Sequence, residues 1–148
     1  MIDVQISERP IRIEEVSALL TDRACGAQLI FTGVVRELNQ GKTVTAVSYD
    51  AFIPLTEKTL REICIEAQEK WGHSVSIVLW HRLGRVEVGE TSVAIGVSSV
   101  HRDEAYRASR QVIEELKHRA PIWKQEHYEQ GDSQWLQGHA LCGHSSAV

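Results

Sequence analysis

Cysteine, proline and phenylalanine are all scarce, with three, three and two copies in 148 residues. Cys25, Cys64 and Cys142 are odd in number and far apart, which argues against the disulfide framework of a small secreted scaffold and fits a reducing compartment. No stretch approaches about 18 consecutive apolar residues, so no membrane span is expected. The opening Met1-Ile-Asp-Val-Gln-Ile-Ser-Glu8 has neither the basic nor the apolar region of a signal peptide, and a cytoplasmic location is the expectation. Internal repeats, Ser/Pro-rich linkers and long charge blocks are missing too. One domain over residues 1–136 is expected, with 137–148, which have little periodic pattern, as a flexible C-terminal tail. At this length roughly two thirds of the unfolded surface can be buried, enough for a core without a structural metal. Sixteen basic against 20 acidic side chains give a net charge of -4, which disfavours a general nucleic-acid binder.

What is present falls into short periodic segments. Ile13, Val16, Leu19 and Leu20 share a helical face. Ala27 to Val35 reads as a largely buried strand and Thr43 to Tyr49 as a second, with a polar connection turning near Gly41. Leu60, Ile63, Cys64, Ala67 and Trp71 mark an amphipathic helix that follows Pro54 and a candidate Thr56 cap and stops at Gly72. Ser74 to His81 and Thr91 to Ser99 are β-branched runs, with a short strand near Arg85 to Val88 between them. A helix from about Asp103 to His118 carries Ala105, Ala108, Val112, Ile113 and Leu116 on one side, and Pro121 ends it. Trp123 to Tyr128 and Gln134 to Leu136 are expected as terminal strands. The pattern predicts an α/β or α+β domain.

Charge is uneven within this frame. Residues 101–124 hold six basic and four acidic side chains, a surplus of +2 that leaves -6 for the rest of the chain. His101 and Arg102 stand at the predicted strand-to-helix transition, where free backbone N–H groups and the helix dipole favour an anion. In the competing reading Arg102 merely pairs with Asp103 or Glu104. Lys117 and Lys124 flank Pro121, and the turn it forces can bring both amines to one cleft for nucleophilic or general-base work. Alternatively they are a helix-end lysine and a solvated edge-strand lysine. Arg36, at the end of a strand, is a weaker third cation. Gly41-Lys42-Thr43 is no nucleotide-triphosphate loop, because Arg36 stands where the first glycine is required. His139, Cys142 and His144 match no zinc spacing. Trp71, Trp80, Trp123 and Trp135 form no nucleic-acid stripe and are expected in packing; His73, His118 and His127 have no assignable partner, and His81 with Arg82 has some claim on a site.

Taken together, Phe31-Thr-Gly-Val-Val-Arg36, His101-Arg102 and Leu116-Lys-His-Arg-Ala-Pro-Ile-Trp-Lys-Gln-Glu126 closely resemble the large, catalytic subunits of molybdopterin synthase, the MoaE family. The similarity runs from about residue 25 to Trp135, and its most specific part is the block from Lys117 to Lys124. The resemblance implies an α+β fold of the α/β-hammerhead type, a single domain with a mixed or antiparallel sheet and flanking helices. It also implies a homodimer with a small ubiquitin-like sulfur-carrier subunit at each end, giving a heterotetramer. The carrier's C-terminal thiocarboxylate would deliver sulfur twice to cyclic pyranopterin monophosphate, making the dithiolene of molybdopterin with no permanently bound cofactor and no metal. On this resemblance Lys117 and Lys124 are the catalytic pair, and Arg36, His101 and Arg102 bind the anionic substrate, partly across the dimer. The alternatives are a non-catalytic binding homologue and a phosphotransferase; the latter is disfavoured because no phosphate loop or paired-carboxylate metal motif is present.

Overall fold

In the computed structural model, which describes residues 1–136, the chain runs β1 (Ile2–Ser7), α1 (Ile13–Leu19), β2 (Ala27–Val34), β3 (Leu38–Asn39), β4 (Lys42–Ala51), α2 (Ile53–Trp71), β5 (Ser76–Arg82), β6 (Gly84–Glu87), β7 (Thr91–Ser99), α3 (Arg102–Arg119), β8 (Ile122–Tyr128) and β9 (Gly131–Asp132). The expected tail, with His139, Cys142 and His144, lies outside the described residues.

The first sheet has the order β1-β5-β7-β2; β1 runs parallel to β5 and the other pairs are antiparallel. Successive side chains of a strand point to opposite faces, and in β5 both faces are covered. Ile77 and Leu79 join α2 (Leu60, Ile63, Cys64, Ala67) and α3 (Ala105, Ala108, Val112, Leu116) in the main core. Val78 and Trp80 meet Val16 and Leu20 from α1 and its C-terminal cap on the opposite face. A second, antiparallel sheet of order β3-β4-β8-β9 also pairs β6 with β4, on the edge away from β8, and packs around Val35, Val44, Val47 and Val86. The α+β class, the mixed and antiparallel sheets and the flanking helices are all as expected.

Several local expectations are revised. Ile2–Ser7 forms a strand because Ile2, Val4 and Ile6 alternate and pack against the main core. Thr56 does not cap α2. Phe52 occupies that position, and Thr56 is buried a turn later, its hydroxyl 2.9 Å from the Phe52 carbonyl and 3.2 Å from that of Pro121. Gly72 does end this helix, with φ 136° and its N–H on the Gln68 carbonyl. The turn near Gly41 is a two-residue hairpin in which Gln40 and Gly41 both have positive φ, the geometry that matches the twist of the flanking strands. Only Leu136 of the stretch 134–136 pairs, as an isolated bridge to Lys124, while β9 supplies the hairpin partner of β8. Finally, Ala27–Val34 is not a buried strand. It lies at the edge of its sheet, and none of its residues is fully buried.

Candidate active site

The end of α3 is fixed by Pro121. Ala120 leaves helical geometry at φ -70°, ψ 126°, as the residue before proline must, and β8 starts two residues later. Lys117 is therefore half-buried on the last turn of α3, and Lys124 lies on β8 directly opposite Tyr49 of β4. Arg119, within the same motif, is not turned to this site. Its guanidinium grips Glu66 of α2 at 2.6 and 3.0 Å and so locks the two helices together.

Between the two lysines lies a polar floor. The Tyr49 ring meets the His81 ring edge-on, with centroids 5.0 Å apart. His81 Nδ1 donates to the Arg82 carbonyl at 2.8 Å, which leaves Nε2 as the acceptor nitrogen. Burial pushes the His81 pKa down to about 4; the bond to Arg82 opposes this and the nearby Lys117 charge adds to it. The ring is thus neutral at pH 7. Burial also raises the Tyr49 phenol, with a hydrogen bond to Ser92 opposing and the Glu126 charge contributing.

Lys124, Glu126 and Tyr128 point to one face of β8 because they are two residues apart. Lys124 Nζ is 3.2 Å from Glu126 Oε1, while Tyr128 donates its hydroxyl and Asn39 its amide to Oε2, at 2.5 and 2.6 Å. Burial alone would raise the Glu126 pKa, but Tyr128, Asn39 and Lys124 outweigh it and hold the carboxyl below its usual value. This buried carboxylate fixes the Lys124 ammonium. Arg36 is exposed three residues before Asn39, on the connection that leads to the same corner.

His101 and Arg102 are elsewhere. His101 is the cap of α3 and makes no side-chain capping bond, so the first backbone N–H groups are left to the cleft in front of them. That cleft, of about 660 Å³, is lined by Gly26, Ala27, His101, Arg102 and Tyr106 among others. The surface-pairing alternative for Arg102 is not what forms: Asp103 is held by Arg107 at 3.0 Å, and among the described residues Arg102 has no ion-pair partner. Fifteen residues of α3 separate Arg102 from Lys117, a distance of about 22 Å at 1.5 Å per residue. One protomer therefore holds the cleft of His101, Arg102 and Asp103 and the Lys117 site at opposite ends of one helix.

Tyr49, Ser92 and Glu126 had not stood out as site residues. Glu126 had a readable signal, since it lies two residues beyond Lys124 on an expected strand. Asn39 had none, because only the hairpin brings it to Glu126. His127, without a partner in the sequence, bonds Ser48 at 2.7 Å and Asp132 at 3.0 Å on the other face of β8. Among the described residues no group of three His, Cys, Asp or Glu side chains could hold a metal.

The MoaE protein family profile matches residues 6–119, which include Arg36, His101, Arg102 and Lys117 and stop short of Lys124. The molybdopterin synthase catalytic subunit of Synechococcus elongatus is 48% identical over 139 residues, covering 94% of this chain and 84% of that one. The crystal structure of molybdopterin synthase from Staphylococcus aureus superposes with a TM-score of 0.84 at 38% identity, over 89% of this chain and 95% of the other. A protein–protein complex of subunits 1 and 2 of the molybdopterin-converting factor from Helicobacter pylori shares the fold, with a TM-score of 0.70 at 22% identity over 88% and 87% of the two chains.

Proposed function

Since the chain belongs to the MoaE family, we propose that it works as the catalytic subunit of a molybdopterin synthase, moving sulfur from a thiocarboxylated carrier protein to cyclic pyranopterin monophosphate. The observation that carries this reading is the placement of Lys117 and Lys124 around the half-buried Tyr49 and the buried His81. The carrier's flexible C-terminal end enters this corner as an extended tail. Its thiocarboxylate sulfur forms a C–S bond to a carbon of the pterin side chain as a C–O bond of that carbon breaks and the oxygen departs with the electron pair and a proton, leaving the acyl carbon attached to that sulfur. Water then breaks the acyl–sulfur bond, so that the sulfur stays on the pterin, a proton is released and the carrier leaves with an ordinary carboxylate.

Each lysine has a distinct part in this scheme. Lys117 stabilises the charge that develops on the acyl oxygen or captures the acyl group transiently, and Lys124 assists proton transfer from its fixed place beside Glu126. Arg36, His101 and Arg102 bind the precursor's phosphate. Because about 22 Å of helix separates Arg102 from Lys117, these parts meet only if a second copy supplies His101 and Arg102, so the working unit is a homodimer with a carrier at each end.

The test is a reconstituted assay with preformed thiocarboxylated carrier and cyclic pyranopterin monophosphate. Lys117→Ala is expected to lower turnover at least a hundredfold while carrier binding is retained. Normal turnover of that variant would overturn the reading.

A further inference from the structure

We propose that Ser48, His127 and Asp132 form a second catalytic site, a serine-nucleophile triad on the second sheet that hydrolyses small acyl esters. It goes beyond the sulfur-transfer reading and uses none of the residues assigned there.

Strand register builds this constellation. β8 lies between β4 and β9. His127 is directly opposite Asp132 of β9 on one side and opposite Ala46 of β4, two residues from Ser48, on the other. Residues two apart on a strand share a face, so Ser48, His127 and Asp132 stand in a row across these neighbouring strands. Lys124, Glu126 and Tyr128 take the opposite face of β8, and the sheet itself separates the two sites.

The bonds run in series along that row. Ser48 Oγ is 2.7 Å from His127 Nε2, and His127 Nδ1 is 3.0 Å from Asp132 Oδ1. A carboxylate oxygen only accepts, so Nδ1 carries the ring proton and Nε2 the lone pair that takes the Ser48 hydroxyl proton. The imidazole side chain is 15% exposed and firmly held, and Thr45 donates its hydroxyl to the His127 carbonyl at 3.0 Å. Ser48 is half-buried, and the Asp132 side chain is 52% exposed. Nucleophile, base and orienting carboxylate in this order are what activates a serine on unrelated folds.

The oxyanion needs a donor as well. Backbone N–H groups of β4 around Ser48 are committed, since this strand pairs with β6 on one side and β8 on the other. Arg85 of β6 is directly opposite Ser48, on the same face. Its Nε bonds Glu87 at 2.8 Å, and a guanidinium has four further N–H donors in the same fork. With Arg85 and Asp132 both exposed, the face is open and suits a small acyl group. Ser48 Oγ attacks the ester carbonyl carbon as its proton passes to His127 Nε2, and the carbonyl electron pair moves to the oxygen beside Arg85. Collapse of this adduct breaks the C–O bond to the alcohol, which leaves with the proton from Nε2. Water then adds to the acyl carbon and gives a proton to Nε2. The bond to Ser48 Oγ breaks, Oγ recovers that proton, and the acid leaves as a carboxylate after releasing its own.

Two measurements on the full chain test this: labelling by a fluorophosphonate probe, mapped by peptide mass spectrometry, and turnover of p-nitrophenyl acetate. The wild type is expected to be phosphonylated at Ser48 and to turn the ester over. Ser48→Ala is expected to lose the label and, like His127→Gln, to lower ester turnover about a hundredfold. Asp132→Asn and Arg85→Ala are expected to slow both labelling and turnover. Synthase turnover of Ser48→Ala is expected to be unchanged, so the two activities fail separately. A folded Ser48→Ala that hydrolyses the ester at the wild-type rate overturns the proposal. So does a wild type that is not labelled at Ser48, a result that stands even if Ser48→Ala fails to fold.

Discussion

His81 shows how much of the site depends on a single side chain that the sequence marks only faintly. Its folded pKa of about 4 lies below the ordinary value of 6.5, so between these pH values the unfolded chain binds more protons than the native one. Stability from this residue is therefore complete above pH 6.5 and is lost as pH falls towards 4, by about 3 kcal/mol over the whole window. His81→Phe keeps the ring and removes the titration. Urea unfolding at pH 7.5 and 5 is expected to show a clear loss for the wild type and a distinctly smaller one for the variant; equal losses would count against a buried neutral imidazole. Cys64 makes the complementary point. Burial, only partly opposed by Arg61, lifts its thiol to about 12, so it is an inert core residue and not a sulfur carrier.

At the scale of elements, the docking of α1 turns on Gly96 in the middle of β7. A Cβ there would stand 2.7 Å from Val16 Cγ1 and 2.8 Å from Leu20 Cδ1, inside van der Waals contact. Gly96→Ala is expected to push α1 outward and destabilise the protein by roughly 1–3 kcal/mol, as overpacking does, and Gly96→Val by more. Denaturant unfolding measures this directly, and an unchanged midpoint for Gly96→Val would show that α1 is not held against the sheet. Most elements were legible beforehand because their periodicity is strong: α2 and α3 each carry a continuous apolar face, and Gly72 and Pro121 stop them where expected. β1 was missed although Ile2, Val4 and Ile6 alternate, and Thr56 misled because a threonine near a helix start has the chemistry of a cap. Its buried hydroxyl instead contacts carbonyls of Phe52 and Pro121, the second far away in sequence.

For the whole molecule, the proposed division of the site between two copies has a consequence that no single-chain defect shares. Lys117→Ala and Arg102→Ala are each expected to be inactive as pure homodimers. Co-expressed, they form mixed dimers in which one site carries both defects and the other carries neither, so activity should return to about a quarter of the wild type in a statistical mixture. Synthase turnover of the purified mixture reads this out. No recovery, in a mixture shown by mass spectrometry to contain mixed dimers, would place Arg102 and Lys117 in one protomer's site.

The fold class, the helices and their stops, the family and the identity of the cationic residues can all be read along the chain, because each is written in local periodicity, in the geometry forced by proline, or in a short motif. The tertiary structure alone decided that Tyr49 and His81 form the floor between Lys117 and Lys124, that Asn39 reaches Glu126, and that Arg102 stands a full helix away from Lys117. Those relations depend on strand register and on the direction in which α3 crosses the sheet. Neither is encoded in the spacing of neighbouring residues, since both are set by which strands find each other across the core.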